Sequence, residues 1–218
     1  VYVTDGVNNR IQKFRNDGTF LRTWGQSGNE VEQFNEPEGI AVDSDHNVFT
    51  AEFNNERIQK FTNQGTFIAT WGKQGTGDGE FVQPCHVAID RGRGDVFVAD
   101  TGNNRIQKFS NTGTFIRSWG SLGTANGQFD HPQGVAVDSG GNVFVTDTFN
   151  HRIQKFTHEG TFIEKWGSQG TGDGQFNRPL GIAIKSAQVS FLEERVYVTE
   201  EVNCRIQVFR PDLLVEPT

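Results

Sequence analysis

Short runs of alternating apolar and polar residues, five or six long, fill this chain, and clusters of Asn, Asp and Gly separate them. One example is Arg10-Ile11-Gln12-Lys13-Phe14, the turn Arg15-Asn16-Asp17-Gly18, and then Thr19-Phe20-Leu21-Arg22-Thr23-Trp24. Period-two runs joined by tight turns predict antiparallel strand pairs rather than helices. The Arg-Ile-Gln motif returns at Arg57, Arg105, Arg152 and Arg205, so its arginines lie 47, 48, 47 and 53 residues apart. A period of that size marks units that cannot bury an apolar face alone and must stack on their neighbours.

The second unit predicts four strands in the order a (Gly39 to Asp43), b (Asn47 to Glu52), c (Arg57 to Phe61) and d (Thr66 to Trp71). The same order recurs from His86 to Trp119 and from Gly134 to Trp166. The chain opens on b, c and d, and its last unit supplies a (Gly181 to Lys185), b (Arg195 to Glu200) and c (Arg205 to Phe209). The units run approximately 1–36, 37–83, 84–131, 132–178 and 179–210, in one domain. Residues 211–218 form a tail in which Pro211 and Pro217 exclude a central strand. A longer a–b connection, Ser186 to Glu194, accounts for the spacing of 53.

Four antiparallel strands per unit, with no helical pattern, predict an all-β fold, a β-propeller with blades around a channel. The 18 predicted strands make about 4.5 four-stranded blades. Three arrangements are open: part of a six-bladed ring, a five-bladed ring with two three-stranded blades, or a homo-oligomer in which chains complete each other's blades.

Composition supports packed sheets: 19 Phe, 4 Trp and no Met give a core of rigid aromatics, and 26 Gly suit frequent turns. The formal net charge of −7 disfavours nucleic acid as a partner. No apolar run approaches the length of a membrane span. The first residue, Val1, already lies in a strand pattern, which suggests an excised domain or processed piece and leaves the compartment unread. Cys85 and Cys204 occupy non-equivalent positions and are expected to be unpaired thiols.

One unit stands almost complete as Pro132-Gln133-Gly134-Val135-Ala136-Val137-Asp138, then Asn142 to Asp147, then Arg152 to Phe156 and Gly160-Thr161-Phe162. This composite resembles the NHL repeat, and the resemblance extends over essentially the whole chain. It implies a β-propeller, most often six-bladed, that acts mainly as a binding platform. Some members bind RNA, some serve as extracellular sensors, and a related lyase uses the scaffold for catalysis.

A carboxylate precedes the motif arginine by five residues in every unit: Asp5 and Arg10, Glu52 and Arg57, Asp100 and Arg105, Asp147 and Arg152, Glu200 and Arg205. Bidentate pairing across the b–c hairpin would brace each turn, and five copies suit a brace better than one asymmetric catalytic site. The recurring Trp24, Trp71, Trp119 and Trp166, with Phe34, Phe81, Phe129 and Phe176, are expected to pack between blades. Gly75 to Gly79 and Gly170 to Gly174 look like phosphate or calcium loops but lack a following helix and spaced acidic ligands. They read as flexible connectors.

Differences among units point to recognition. The residue after the strand-a proline is Glu38, Cys85, Gln133 and Leu180 in turn, and His86 replaces the glycine that follows in the other units. With Glu36, His131 and Arg178 just before the prolines, these are the candidate ligand-binding residues at one channel mouth. In the related lyase, the resemblance implies zinc-ligating histidines directly after this proline. None of the four residues is His, and one cysteine does not make a three-ligand site.

His46, His151 and His158 fall in turns and read as solvated. No catalytic constellation, metal site or cofactor site is predicted. The sequence thus supports a non-enzymatic binding platform for a protein, peptide or small ligand, with a propeller lyase or hydrolase as the alternative and RNA binding as the weakest reading.

Overall fold

The structure is a computed structural model that describes residues 1–185 and 194–210. Five antiparallel sheets follow one another along the chain. The first contains β1 (Tyr2–Asp5), β2 (Arg10–Phe14) and β3 (Phe20–Trp24). The second contains β4 (Pro37–Val42), β5 (Val48–Glu52), β6 (Arg57–Phe61) and β7 (Phe67–Trp71). The third contains β8 (Pro84–Ile89), β9 (Val96–Asp100), β10 (Arg105–Phe109) and β11 (Phe115–Trp119). The fourth contains β12 (Pro132–Val137), β13 (Val143–Asp147), β14 (Arg152–Phe156) and β15 (Phe162–Trp166). The fifth contains β16 (Pro179–Lys185), β17 (Arg195–Glu200) and β18 (Arg205–Phe209). No α-helix occurs among the described residues, although the b–c turns Thr101–Asn103 and Thr148–Asn150 are single 3-10 turns. Most of the long a–b connection and the tail 211–218 lie outside the described residues.

Turn chemistry sets this layout. Gly65, Gly113 and Gly160 take positive φ in the c–d turns, where the backbone closes a tight hairpin. A Cβ on them would also stand 2.8, 2.7 and 2.7 Å from the indoles of Trp24, Trp71 and Trp119, each from the preceding sheet. The turn and the inter-sheet packing therefore both demand glycine.

Side chains alternate across each pleat, so each of the three middle sheets presents one face to the sheet before it and one to the sheet after it. Four apolar clusters result, each straddling two consecutive sheets. Phe34, Phe81, Phe129 and Phe176 are fully buried, with ring centroids 5.6, 5.6, 5.5 and 5.6 Å from Phe61, Phe109, Phe156 and Phe209. The tryptophans lie on the same four phenylalanines at 6.2, 6.0, 5.9 and 5.9 Å. Each fully buried ring contributes about 2–3 kcal/mol by removal of apolar surface from water. No described cluster joins the fifth sheet to the first.

Candidate functional site

The motif arginine does more than meet its carboxylate. In the fourth sheet Arg152 Nε donates to Asp147 at 2.6 Å, while its terminal nitrogens donate to the carbonyls of Thr124, Ala125 and Gln128 at 2.7, 2.9 and 2.9 Å. Those carbonyls belong to the loop that links β11 to β12. Gln154 bridges the same carboxylate and the Gln128 carbonyl, and Asn150 reaches the Gly123 carbonyl. The second, third and fifth sheets repeat the pattern from Arg57, Arg105 and Arg205.

The glycine-rich loops are accordingly not flexible connectors. Asn103, Arg105 and Gln107 hold Gly75, Thr76, Gly77 and Gly79, and Asn203, Arg205 and Gln207 hold Gly170, Thr171, Gly172 and Gly174. Their backbone groups are occupied by the scaffold.

The candidate residues before the prolines form a rim. Glu36, His131 and Arg178 all adopt left-handed backbone, and their N–H groups donate to Asn9 Oδ1, Asn104 Oδ1 and His151 Nδ1 at 2.8, 2.8 and 3.2 Å. Side chains of this row pair locally: Glu36 accepts from Asn54 at 2.8 Å, and His131 lies 2.7 Å from Asp130. Between the third and fourth inner strands the half-exposed Phe149 carries the His131 ring at 4.7 Å and the Arg178 guanidinium at 5.1 Å.

Of the residues after the prolines, Glu38 is exposed, Gln133 and Leu180 are half-buried, and Cys85 is buried. Two of them are held through their backbone by the preceding sheet: Thr4 donates to the Glu38 carbonyl and Thr146 to the Leu180 carbonyl, both at 2.7 Å. Although its surface is open on one side, partial desolvation by the neighbouring inner strands raises the Glu38 carboxyl above its ordinary pKa. Burial pushes the Cys85 thiol up to about 12, so it is protonated at neutral pH and a poor nucleophile.

His86 occupies the place where Gly39 and Gly134 let neighbouring inner strands meet. A Cβ on Gly39 would stand 2.6 Å from the His86 backbone, and one on Gly134 2.4 Å from the Leu180 carbonyl. The His86 Nδ1 is shielded without a hydrogen-bond partner, and burial lowers its pKa.

A cavity of about 720 Å³ occupies the other end of the inner strands, lined by Val42, Ile89, Val137 and Ile184, with Asp90 and Asp138 beside it. None of the candidate mouth residues lines it. Among the described residues no three or more His, Cys, Asp or Glu side chains are grouped to hold a metal ion.

Residues 129–156 match the profile of the NHL repeat, and residues 49–120 match that of a family of six-bladed β-propellers. The chain is a β-propeller that carries an NHL repeat. Residues 1–76 of the propeller also match the SMP-30/gluconolactonase/LRE-like region. No curated protein matches it. Among solved structures it is similar to a catalytically inactive virginiamycin B lyase from Staphylococcus aureus with quinupristin, at 16% identity and TM-score 0.63, covering 98% of this chain and 67% of that one. A streptogramin B lyase is similar at 20% identity and TM-score 0.63, with 99% and 65% covered. A protein of unknown function from Bacteroides thetaiotaomicron VPI-5482 gives 14% and 0.69, with 93% and 54% covered. The propeller thus spans about two thirds of the length of these lyases, and at such identities the likeness is one of fold.

Two histidines in NHL turns are not the solvated residues that turn positions suggest. His158 is only 16% exposed; its Nε2 lies 2.8 Å from Asp95 and its Nδ1 2.9 Å from Glu159 and 3.1 Å from the buried Lys108 Nζ. It takes the position of Asn111, whose side chain receives Lys60 from the preceding sheet. This lysine bridge was legible only as the fourth letter of the repeated motif.

His151 is half-buried, and burial, then Arg178, depresses its pKa below the usual histidine value. As hydrogen-bond acceptor for Arg178 it must be neutral. A depressed folded pKa gives stability that is full above the unfolded value of about 6.5 and lost as pH falls below it. Melting temperature should therefore fall from pH 7.5 to pH 5.5. His151→Asn, which copies Asn9 and Asn104, should flatten that slope; an unchanged slope would assign it to other groups.

Proposed function

We propose that this NHL propeller is a non-enzymatic binding platform that recognises a protein, peptide or small ligand at the mouth formed by the first residues of its inner strands. The observation that carries the reading is the contrast at equivalent positions. Scaffold positions repeat from sheet to sheet, while Glu38, Cys85, Gln133 and Leu180 set an acid, a thiol, an amide and an apolar side chain at equivalent positions of the four inner strands. Concave sites that fix ligand orientation combine such groups. The rim residues Glu36, His131 and Arg178 extend the surface around Phe149, and His86 supports it from between the strands.

A thermal-shift screen of peptides and small molecules, followed by titration of each hit, tests the proposal. Glu38→Gln and Gln133→Ala should each weaken a genuine mouth ligand by about tenfold, or about 1.4 kcal/mol. Both substitutions should leave unfolding stability within about 0.5 kcal/mol, as surface changes do. Ligands whose affinity ignores both substitutions would place recognition elsewhere.

The alternative, a propeller lyase or hydrolase, draws on the two lyases of similar fold. Metal analysis and an activity screen of the purified protein separate it from the binding reading. RNA binding would instead appear as affinity that falls steeply with salt.

A further inference from the structure

We propose that Arg178, held against Phe149 beside His131, is a fork for a single carboxylate carried by an apolar group, either the C-terminal residue of a peptide or a free small acid. The inference rests on the reading of this mouth as a binding surface and names the chemistry its rim accepts.

Three departures from the repeat meet at this spot. Phe149 stands where the other b–c turns carry Val7, Asn54, Gly102 and Val202, so it is the only aromatic ring at that position. Arg178 stands where the other loops end in Glu36, Gln83 and His131, so it is the only permanent cation of that row. His151, in place of Asn9 and Asn104, accepts the Arg178 N–H at 3.2 Å.

The guanidinium is placed but not consumed. The Arg178 backbone is left-handed at φ 54°, fixed by His151 on its N–H and by the Glu201 N–H on its carbonyl at 3.0 Å. Its guanidinium carbon lies 5.1 Å from the centre of the Phe149 ring, which also carries the His131 ring at 4.7 Å. Stacking takes up the flat face of a guanidinium and leaves its in-plane N–H groups free to bond elsewhere. Among the described residues that fork donates no hydrogen bond, whereas Arg152 donates four. Its ion pair with Glu201 is 3.5 Å long between side chains 47% and 52% exposed, a geometry that contributes little. This exposure belongs to the row: the counterpart His131, between two four-stranded sheets, has a side chain 42% exposed.

The ligand class follows from shape and charge. Parallel N–H donors of one guanidinium match the two oxygens of one carboxylate. Phe149 is 40% exposed, which leaves ring surface beside the fork for an apolar group. A polyanion such as RNA fits poorly, because Asp130 lies 2.7 Å from His131, Glu201 flanks the fork, and the chain carries a net charge of −7. One carboxylate takes the place of the loosely held Glu201; a row of phosphates would meet these acids.

Two probes test the site when titrated into the whole 218-residue protein: fluorescent Gly-Gly-Phe with a free C-terminus, and 3-phenylpropionate followed by NMR. Both should bind saturably, and their uncharged amides should bind about tenfold more weakly or worse. Arg178→Gln copies the left-handed Gln83 of the third unit, so it keeps the backbone and should weaken both acids by about tenfold or more. Arg178→Lys should not restore them, since a point charge lacks the fork. Glu201→Gln should tighten them. A peptide that binds more tightly than the small acid names a chain terminus as the source, and the reverse order names a free acid. Equal binding of acids and amides, no saturation at about 10 mM acid, indifference to Arg178→Gln, or full recovery in Arg178→Lys would overturn the inference. Single-stranded RNA that binds more tightly than either acid and is lost in Arg178→Gln would also overturn it. A ligand that responds to Glu38→Gln or Gln133→Ala but to neither Arg178 variant would overturn it while leaving the mouth reading intact. Acids that respond to Arg178→Gln alone would support the fork and confine recognition to the rim.

Discussion

Arg152→Ala should cost about 3–5 kcal/mol in urea unfolding, the range for removing one partner of a buried ion pair. The side chains of Arg152 and Asp147 are 7% and 0% exposed, so truncation leaves a carboxylate with no water to replace the guanidinium. The carbonyls of Thr124, Ala125 and Gln128 each lose one hydrogen bond at the same time. Burial already holds the Asp147 pKa above the ordinary value even with Arg152 present. Without Arg152 the pKa rises further, and a raised folded pKa gives stability that is lost as pH increases. The deficit should therefore be larger at pH 8 than at pH 5.

Arg10→Ala is the internal control. Its pair is the exposed version of the same brace and holds no loop, so the change should cost less than about 1 kcal/mol. Equal losses at the two positions would mean that loop docking contributes nothing, and that the repeated pair is only a turn ornament of the b–c hairpin.

This contrast also shows what a sequence of repeats discloses. The strands were legible because Asn, Asp and Gly punctuate runs such as Arg57–Phe61, and because hairpin registers such as Glu52 opposite Arg57 follow from turn length. The second layer of partners was not. Arg152 meets carbonyls 24 to 28 residues earlier in the chain, a relation set by how one sheet stacks on the next. Glycine-rich loops resemble loose linkers for the same reason: their order comes from a neighbouring sheet's side chains, not from their own.

His158 taught a similar lesson, since a turn residue of one unit is core-like once the preceding unit's Lys108 packs on it. At the mouth, the differing residues could be found by alignment of the units. Their depth could not, and the cavity at the opposite end of the inner strands takes from each of them similar Val, Ile and Ala residues, which stand out in no comparison of the units.

Phe156→Ala should cost about 3–5 kcal/mol, the range for deleting a buried aromatic, because its ring joins two sheets rather than filling one. Trp119 and Phe129 rest on it at 5.9 and 5.5 Å, and Phe162 of its own sheet at 6.0 Å. All three would border the new cavity. Rings in such tilted and edge-on contacts hold their neighbours by shape and quadrupole as well as by area, so local collapse recovers little of the loss.

The position of the same ring in the last sheet supplies the comparison. Phe209 receives Trp166 and Phe176 from one side, but it is half-buried, and Ile206 and Val208 of the same strand are 64% and 53% exposed. Phe209→Ala should cost distinctly less than Phe156→Ala, and Ile206→Ala should fall within about 0.5 kcal/mol of zero, as exposed positions do. Denaturant midpoints of the three variants, at unchanged slope, measure this gradient directly. If all three lost the same stability, the fifth sheet would be as fully covered as the fourth in solution, and the exposed faces seen here would have a partner.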